Sequence, residues 1–311
     1  MKKYVIQITL LILVVALLLV NLYKNQRFNL LIEKELQLIN LYLFADSVTS
    51  CKAYYPTFGV ATNLSQFPLI YQAGFTYIEP CVDEFLVPDK CDSTFLKILA
   101  EKNRLNARAI SCVIFLPEYL KVTGTEVRHD EIVARAEIVF RRAQMAEIPF
   151  IVFGSGGARR VPEGFSKQEA TQQFIDLCKR LAPVAQNYNV TVVIEPLNSG
   201  ETNFINSLSE GADIVRAVNH PNIQLLADIF HMKRENEPAS EIVKYGKYIR
   251  HVHIAERKNR TAPGTSGDDF SMYFLALRLI KYTGCISIEG QFDDFETRII
   301  SALEYMKQQF K

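Results

Sequence analysis

Eight apolar, strand-like runs alternate with helix-like segments from residue 58 to the C-terminus. Repeated strand–helix units predict a parallel sheet, because each parallel connection must cross from one end of the sheet to the other. Eight such units favour a closed (β/α)8 barrel over an open doubly wound sheet. The predicted strands are 58–63, 75–82, 107–116, 150–153, 190–195, 223–228, 249–254 and 285–291.

Local signals support the predicted helices between these strands. Ser166 and Ser207 each stand three residues before a glutamate, Glu169 and Glu210. This capping-box pattern satisfies free N–H groups at a helix start. The segment 128–147 has apolar residues at helical spacing. The other predicted helices end at Gly74 or cover 93–106, 238–247, 268–283 and 293–309.

The N-terminus carries a membrane signal. Lys2 and Lys3 precede an apolar run that reaches Tyr23 and has about the length needed to cross a bilayer. The basic flank favours an N-terminus-inside orientation, and no small-residue cleavage site follows. We predict a signal-anchor at 1–23, with a cleaved signal peptide as the alternative, an amphipathic linker at 24–56 and the barrel at 57–311. The barrel is then expected outside the cytoplasm, either membrane-anchored or, after cleavage, secreted or periplasmic.

The overall charge argues against one class of partner. Thirty-five Lys and Arg residues stand against 34 Asp and Glu residues, a net charge of +1. A chain without a basic field is not expected to bind nucleic acid. The predicted partners are a small sugar molecule and, through the N-terminal helix, the membrane. A homo-oligomer is left open.

The last four predicted strands end in polar residues at Glu195, Asp228, His253 and Glu289. The carboxyl ends of barrel strands meet at one rim, where the active sites of such barrels lie. Carboxylates in apolar surroundings are costly unless something compensates them. One strand-end acid is more often a helix cap or ion-pair partner, but four in succession predict a shared metal ion.

The composition of this set indicates which metal it holds. Three carboxylates and one imidazole suit Mn²⁺, Mg²⁺ or Co²⁺ better than a structural zinc site, which prefers thiolates and imidazoles. We predict one divalent ion, with Mn²⁺ preferred and Mg²⁺ or Co²⁺ open. Such an ion stabilises an enediolate, while a glutamate on each side of a substrate carbon can remove or return a proton.

Four motifs carry a family resemblance over about 58–310. They are Ile-Glu-Pro-Leu-Asn (194–198), Ala-Asp-Ile-Phe-His-Met (227–232), His-Val-His-Ile-Ala-Glu (251–256) and Ile-Glu-Gly-Gln (288–291). They resemble the xylose isomerase-like TIM barrel family. Within it they are most similar to the sugar phosphate isomerase/epimerase group that includes ketose 3-epimerases and hydroxypyruvate isomerases.

The resemblance implies a role for each site residue. Metal ligation falls on Glu195, Asp228, His253 and Glu289, and the two glutamates inherit the catalytic acid/base role. Substrate binding falls on His231, three residues after the aspartate, and on Glu201, six after the first ligand. The family's substrate-binding arginine follows the metal histidine by six. That position is Asn259 here, so a one-residue insertion assigns the role to Arg260.

Two further features are read from their position in the barrel. Glu79 ends the second predicted strand and is expected in the pocket wall as a substrate-binding acceptor, with a structural ion pair as the alternative. The stretch 154–160, Gly-Ser-Gly-Gly-Ala-Arg-Arg, follows the fourth strand. Its glycines permit close approach of the backbone to a ligand, or form a flexible loop. Arg159 and Arg160 are expected as a solvated surface pair, the commoner case, with pairing to an anionic substrate as the alternative.

The predicted function is a divalent-metal-dependent sugar isomerase or epimerase that moves a proton next to a ketose carbonyl through a metal-stabilised enediolate. The alternatives are an inosose-type dehydratase or lyase on the same barrel and a non-catalytic sugar-binding barrel. An apurinic endonuclease is disfavoured, because none of the five histidines lies on the first four predicted strands. A location outside the cytoplasm favours a free sugar or an oxidised glycoside over a sugar phosphate.

Overall fold

The computed structural model describes residues 56–310, whose eight strands form one parallel sheet in the order β2-β1-β8-β7-β6-β5-β4-β3. Bridges from Ile78 to Ala109 and from Cys81 to Val113 join the outer strands and close the barrel. The predicted (β/α)8 TIM barrel is confirmed. The strands are β1 (Thr57–Val60), β2 (Tyr77–Ile78), β3 (Ser111–Cys112), β4 (Phe150–Phe153), β5 (Thr191–Ile194), β6 (Ile223–Asp228), β7 (Ile249–Ile254) and β8 (Cys285–Ile288).

Each strand leads into one helix of an outer layer. These helices are α1 (Phe67–Gln72), α3 (Asp92–Arg104), α4 (His129–Met145), α6 (Lys167–Asn187), α7 (Leu208–Val218), α9 (Ser240–Tyr245), α10 (Ser271–Leu279) and α11 (Phe295–Gln309). The serine half of both predicted capping boxes forms: the Ser166 and Ser207 hydroxyls accept from the backbone N–H groups of Glu169 and Glu210, which fixes the starts of α6 and α7. The Glu210 carboxylate accepts from the backbone N–H of Asn206, one residue before the cap.

Three short helices, which we did not predict, follow β2, β4 and β6. They are α2 (Val82–Phe85), α5 (Gly156–Arg159) and α8 (Ile229–Arg234), and single turns of 3-10 helix cover Leu64–Gln66 and Gly246–Tyr248. Several predicted strands were too long, because the apolar run of the strand continues into the loop that follows it. Buried residues such as Phe115 and Leu116 continue the apolar run past β3 but belong to the packed loops above the barrel.

The barrel interior has two chemically different halves. Val113, Val152, Val193 and Leu226 form a hydrophobic cluster separate from the main core, which lies between the strands and the outer helices. We call these four residues the apolar half. The other side of the interior carries buried polar and aromatic side chains instead of the usual branched aliphatic residues. This polar half consists of Tyr77, Glu79, His251, His253 and Ser287.

The predicted N-terminal segments are not part of this description. The signal-anchor or signal peptide at 1–23 lies outside the described residues, as does all of the linker at 24–56 except Pro56. Both stay predictions. Among residues 56–310, no helix has the length and apolar character to cross a membrane.

Candidate metal centre and active site

Strand alternation brings the four predicted ligands to the inner rim. Successive side chains of a strand point to opposite faces, so a residue two positions after an inward one also faces inward. Val193 and Leu226 belong to the interior, and Glu195 and Asp228 follow each by two positions. In the same way, His253 follows the interior residue His251, and Glu289 follows Ser287.

The four side chains meet at one point. One ligand atom from each of Glu195, Asp228, His253 and Glu289 can be chosen so that all lie within 4.8 Å of one another. The His253 Nδ1 atom lies 3.1 Å from Glu195 Oε1 and 3.0 Å from Glu289 Oε2. Three carboxylates and one imidazole nitrogen around a common centre suit a hard divalent cation, so this donor set fits the predicted ion.

The electrostatics of the cluster favour a cation as well. Burial, with the charge of Glu289, raises the pKa of Glu195, and burial raises that of Asp228 to about 6 against the effect of Arg260. Burial alone would also raise the pKa of Glu289, but His253 and Arg260 outweigh it and bring this pKa to about 2. The carboxylates therefore compete for a limited amount of nearby positive charge.

Asp228 uses its two oxygens for different purposes. Its Oδ1 atom accepts a hydrogen bond of 2.7 Å from the Phe230 backbone N–H and so caps α8. Its Oδ2 atom lies 3.3 Å from His231 Nε2 and 3.4 Å from Arg260 Nη2. The cap fixes the orientation of the carboxylate, and the second oxygen stays directed into the site.

Arg260, which we predicted as a substrate-binding residue, lies among the ligands. It donates from Nη2 to Glu289 Oε2 at 2.6 Å and from Nε to the Glu289 backbone carbonyl at 3.0 Å. Its guanidinium also stacks over the Phe230 ring, 4.6 Å from the centroid. The buried Glu256 holds the loop behind Arg260, accepting from Thr261 Oγ1 and from the backbone N–H groups of Gly264, Ser266 and Gly267.

The environment of His231 fixes its tautomer. The Asn198 backbone N–H donates to His231 Nδ1 at 3.1 Å, and since a backbone N–H can only donate, Nδ1 carries no proton. The proton of the neutral ring is therefore on Nε2. This buried atom lies 3.3 Å from Asp228 Oδ2 but makes no hydrogen bond within 56–310. Burial also lowers the pKa of His231, in the direction of the neutral ring. His231 thus presents a fixed donor to the site.

Glu201 completes this side of the site. Its Oε1 atom accepts from Asn198 Nδ2 at 2.9 Å and lies 3.6 Å from Arg260 Nη1. It is also 3.9 Å from His231 Nδ1. The structure therefore brings together the three residues that the resemblance assigned to substrate binding.

Glu79 lies in the same barrel, but its carboxylate is already engaged. Only 1% of the residue is exposed. It lies 2.5 Å from His251 Nε2 through Oε1 and 2.9 Å from His253 Nε2 through Oε2, and the Ser287 hydroxyl also donates to it. The Glu79 carboxylate therefore interacts with two imidazoles and a hydroxyl of the protein. This arrangement is close to the structural ion pair that we gave as the alternative to substrate binding.

The stretch 154–160 supports the site in a way that we did not predict. Arg159 is fully buried and donates to the backbone carbonyls of Phe153 at 3.0 Å and Ile205 at 3.4 Å. The expectation of a solvated pair is therefore wrong for Arg159, because this guanidinium links the end of β4 to the loop after β5. Arg160 is exposed, as expected, and donates to the Glu201 backbone carbonyl.

Gly154 leaves room for Glu195. A Cβ atom at position 154 would lie 2.2 Å from Glu195 Oε2. We expect Gly154→Ala to displace this carboxylate and to raise the dissociation constant for Mn²⁺ by about 10–100-fold, as for other changes that misplace a ligand. Isothermal titration calorimetry would measure it. Gly157→Ala is the control, because its Cβ meets the largely exposed Glu118 side chain, which can move away. Equal affinities in the two variants would contradict the argument.

Sequence reasoning missed Asn198, Phe230 and Glu256 as site residues. All three lie inside or next to the motifs that we used, so their position was a usable signal. The motifs gave no signal of the role of each residue, because each acts through a contact that involves a loop. Asn198, for example, is 33 residues from the histidine that it orients.

Comparisons with known proteins agree with this fold. A family profile described as "Xylose isomerase-like TIM barrel" matches residues 67–309. L-ribulose 3-epimerase from Methylomonas sp. (strain DH-1) is 30% identical over 224 residues, which cover 70% of this chain and 75% of the relative. Ketose 3-epimerase from Arthrobacter globiformis is 32% identical over 112 residues, or 36% of this chain and 38% of the relative.

A solved structure shows the same architecture. The crystal structure of D-psicose 3-epimerase with D-tagatose from Clostridium cellulolyticum H10 matches with a TM-score of 0.72 at 18% sequence identity. The match covers 82% of this chain and 99% of that chain. At this identity the likeness concerns the fold.

Proposed function

The chain belongs to the xylose isomerase-like TIM barrel family and is an isomerase-class enzyme, and from this premise we propose that it epimerises or isomerises a ketose next to its carbonyl. The observation that carries the proposal is the position of Glu195 and Glu289, which both approach His253 Nδ1 at about 3 Å. Two carboxylates that flank one ligand-binding point can serve two sides of a substrate carbon.

In the proposed reaction, one glutamate removes the proton from the carbon next to the carbonyl. The C–H bond breaks, its electron pair moves toward the carbonyl, and an enediolate forms. The other glutamate, which starts the cycle protonated, gives its proton to the opposite face of that carbon, which inverts it. The first glutamate ends protonated and the second ionised, and proton exchange with water restores the pair. Glu195, Asp228, His253 and Glu289 would hold a divalent ion, with Mn²⁺, Mg²⁺ and Co²⁺ as the candidates, and the ion would supply positive charge beside the substrate oxygens.

Three residues would hold the substrate during this transfer. His231 offers a fixed Nε2–H donor. Arg260 offers guanidinium N–H groups beside Glu289, and Glu201 accepts from a sugar hydroxyl. Because these groups are fixed before substrate arrives, they orient the carbon between the glutamates without a further ordering cost.

The charge of the cavity favours a neutral sugar. A cavity of about 420 Å³ opens beside Glu289 and extends past Asn63 and Gln291 to Glu84. Of the described residues that line it, Arg260 is the one cation, and Glu289 already pairs with it. A phosphate would face carboxylates without a free cation, so we propose an unphosphorylated ketose or an oxidised glycoside as the substrate.

Solvent deuterium exchange tests this proposal. We expect the Mn²⁺-loaded protein in D₂O to place deuterium next to the carbonyl of at least one sugar in a panel of free ketoses, with a new epimer or isomer detected by NMR. Phosphorylated ketoses and metal-free protein are the controls. The absence of deuterium from every sugar would refute the reaction, and products that have lost water would assign the chain to the dehydratase alternative.

A further inference from the structure

The carboxylate of Glu79 joins two histidines of the same strand. His251 and His253 lie two residues apart on β7, so both rings point into the barrel. Glu79 Oε1 meets His251 Nε2 at 2.5 Å, and Glu79 Oε2 meets His253 Nε2 at 2.9 Å. The Ser287 hydroxyl donates a hydrogen bond to the same carboxylate, and the Tyr77 and Ser287 hydroxyl oxygens are hydrogen-bonded at 2.9 Å. All five members of the polar half are fully or almost fully buried.

The chemistry of this contact determines which nitrogen of His253 carries the proton. An ionised carboxylate only accepts hydrogen bonds, so the imidazole nitrogens that face it must donate. Two imidazole nitrogens and the Ser287 hydroxyl, all within hydrogen-bond distance of Glu79, are the donors that an ionised carboxylate needs. A neutral His253 with its proton on Nε2 has a free lone pair on Nδ1. That nitrogen is the atom that faces Glu195 and Glu289.

We propose that Glu79 is a positioning residue of the metal centre: it holds His253 in the Nε2–H tautomer and in the ring orientation that directs Nδ1 at the ion. His251 and Ser287 in turn hold Glu79. The inference rests on the metal site of the proposed function, but on none of its steps of proton transfer. Carboxylate partners of this kind commonly orient metal-binding histidines in proteins.

Two other roles fit the contacts less well. Glu79 lines the cavity, but as a substrate acceptor it has little to offer: Oε1 already accepts from His251 and Ser287, Oε2 accepts from His253, and only 1% of the residue is exposed. Glu79, His251 and His253 are also close enough to hold an ion of their own. However, the short N···O distances are those of hydrogen bonds, and His253 Nε2 cannot serve Glu79 and an ion together. One ion per chain is therefore expected.

The test is Glu79→Gln, with Mn²⁺ binding measured by calorimetry on the full chain. A glutamine presents one oxygen and one NH₂ group, so one of the two imidazoles meets a donor instead of an acceptor. We expect the Mn²⁺ dissociation constant to rise about 10–100-fold. At saturating Mn²⁺ the KM for the sugar should stay within about twofold, because the proposed role gives Glu79 no contact with substrate, although the residue lines the cavity. With Mg²⁺ bound, ¹⁵N NMR of the histidines should show the Nε2–H form of His253 in the wild type and its loss in the variant.

Two further variants separate positioning from general destabilisation. Ser287→Ala removes one of the three donors to Glu79 and should weaken Mn²⁺ binding less than Glu79→Gln, while remaining folded. Ser111→Ala is the matched control, since Ser111 is equally buried but its hydroxyl has no hydrogen-bond partner in the part of the chain that is described. It should leave the Mn²⁺ affinity unchanged.

The results that would overturn the inference are distinct from those that would overturn the proposed function. Unchanged Mn²⁺ affinity with a KM raised tenfold or more would make Glu79 a substrate residue and leave the proposed reaction intact. A stoichiometry of two ions in the wild type that falls to one in Glu79→Gln would make it a ligand. A wild type that binds no divalent ion would instead remove the metal site from which both proposals start.

Discussion

Glutamine in place of Glu195 or Glu289 should lower the rate of sugar interconversion by about 10²–10⁴-fold, the range expected for the loss of a general acid or base. Glutamine has nearly the same shape and can still offer an oxygen to a cation, but it cannot take up a proton. The measurement is kcat for each variant at saturating Mn²⁺, with the most active sugar of the panel. Each variant also loses one ligand charge, so calorimetry is needed to find its Mn²⁺ dissociation constant and the Mn²⁺ concentration that saturates it.

The isotope pattern of these variants gives a sharper outcome. If the two glutamates serve opposite faces of one carbon, each single variant keeps the base for one epimer only. Glu195→Gln should then exchange deuterium into one epimer, and Glu289→Gln into the other, while neither interconverts them. A variant that exchanges both epimers at the wild-type rate would show that its missing carboxylate does not move the proton.

Removal of divalent cations should abolish turnover and lower the melting temperature by roughly 5–10 °C relative to protein with excess Mn²⁺. The range follows from a ligand at about 100 times its dissociation constant, which stabilises the folded state by about 2.7 kcal/mol. The physical reason is the group of buried carboxylates at the strand ends, whose mutual repulsion a cation offsets. Calorimetric melting of chelator-treated and reloaded protein would measure the shift.

Asp228→Asn is the matched variant for this experiment. The amide can still cap α8 through its oxygen, but it removes one negative charge from the centre. We expect the variant to remain folded without metal and to lose most of the temperature shift that Mn²⁺ produces. Reloading the wild type with Mg²⁺ or Co²⁺ would rank the metals by the melting-temperature shift that each produces. A wild type whose melting temperature is the same with chelator and with each metal would contradict the predicted centre.

The sequence predicted the barrel and the location of its rim because both depend on short-range periodicity. Alternation of apolar strands and helices specifies the layers, and the period of two along each strand specifies which side chains face inward. Glu195 and Asp228 could therefore be placed at one rim without any knowledge of distances. The family motifs then pointed to His231, Glu201 and Arg260, which the structure brings together.

The remaining features depend on tertiary contacts that no local pattern encodes. Arg159 follows a glycine-rich turn that is typical of an exposed loop, yet the carbonyls that receive its guanidinium come from two separate segments. The carboxylate of Glu79 meets an imidazole that is 172 residues away in the chain. Asn198 lay inside a motif, but nothing in the motif shows that its backbone sets the tautomer of His231.

The polar half of the barrel also has a consequence for folding. Its hydrogen bonds join β2 to β7 and β8 across 172 to 210 residues of chain, whereas the apolar half comes from the consecutive strands β4, β5 and β6 and the segment after β3. Contacts between distant segments require long loops to close and form slowly. We therefore expect β3 to β6 to bury their aliphatic side chains before the polar half forms. The imidazoles and Glu79 can meet only once the last strands pack against the first, so we expect the metal centre to be completed together with closure of the barrel.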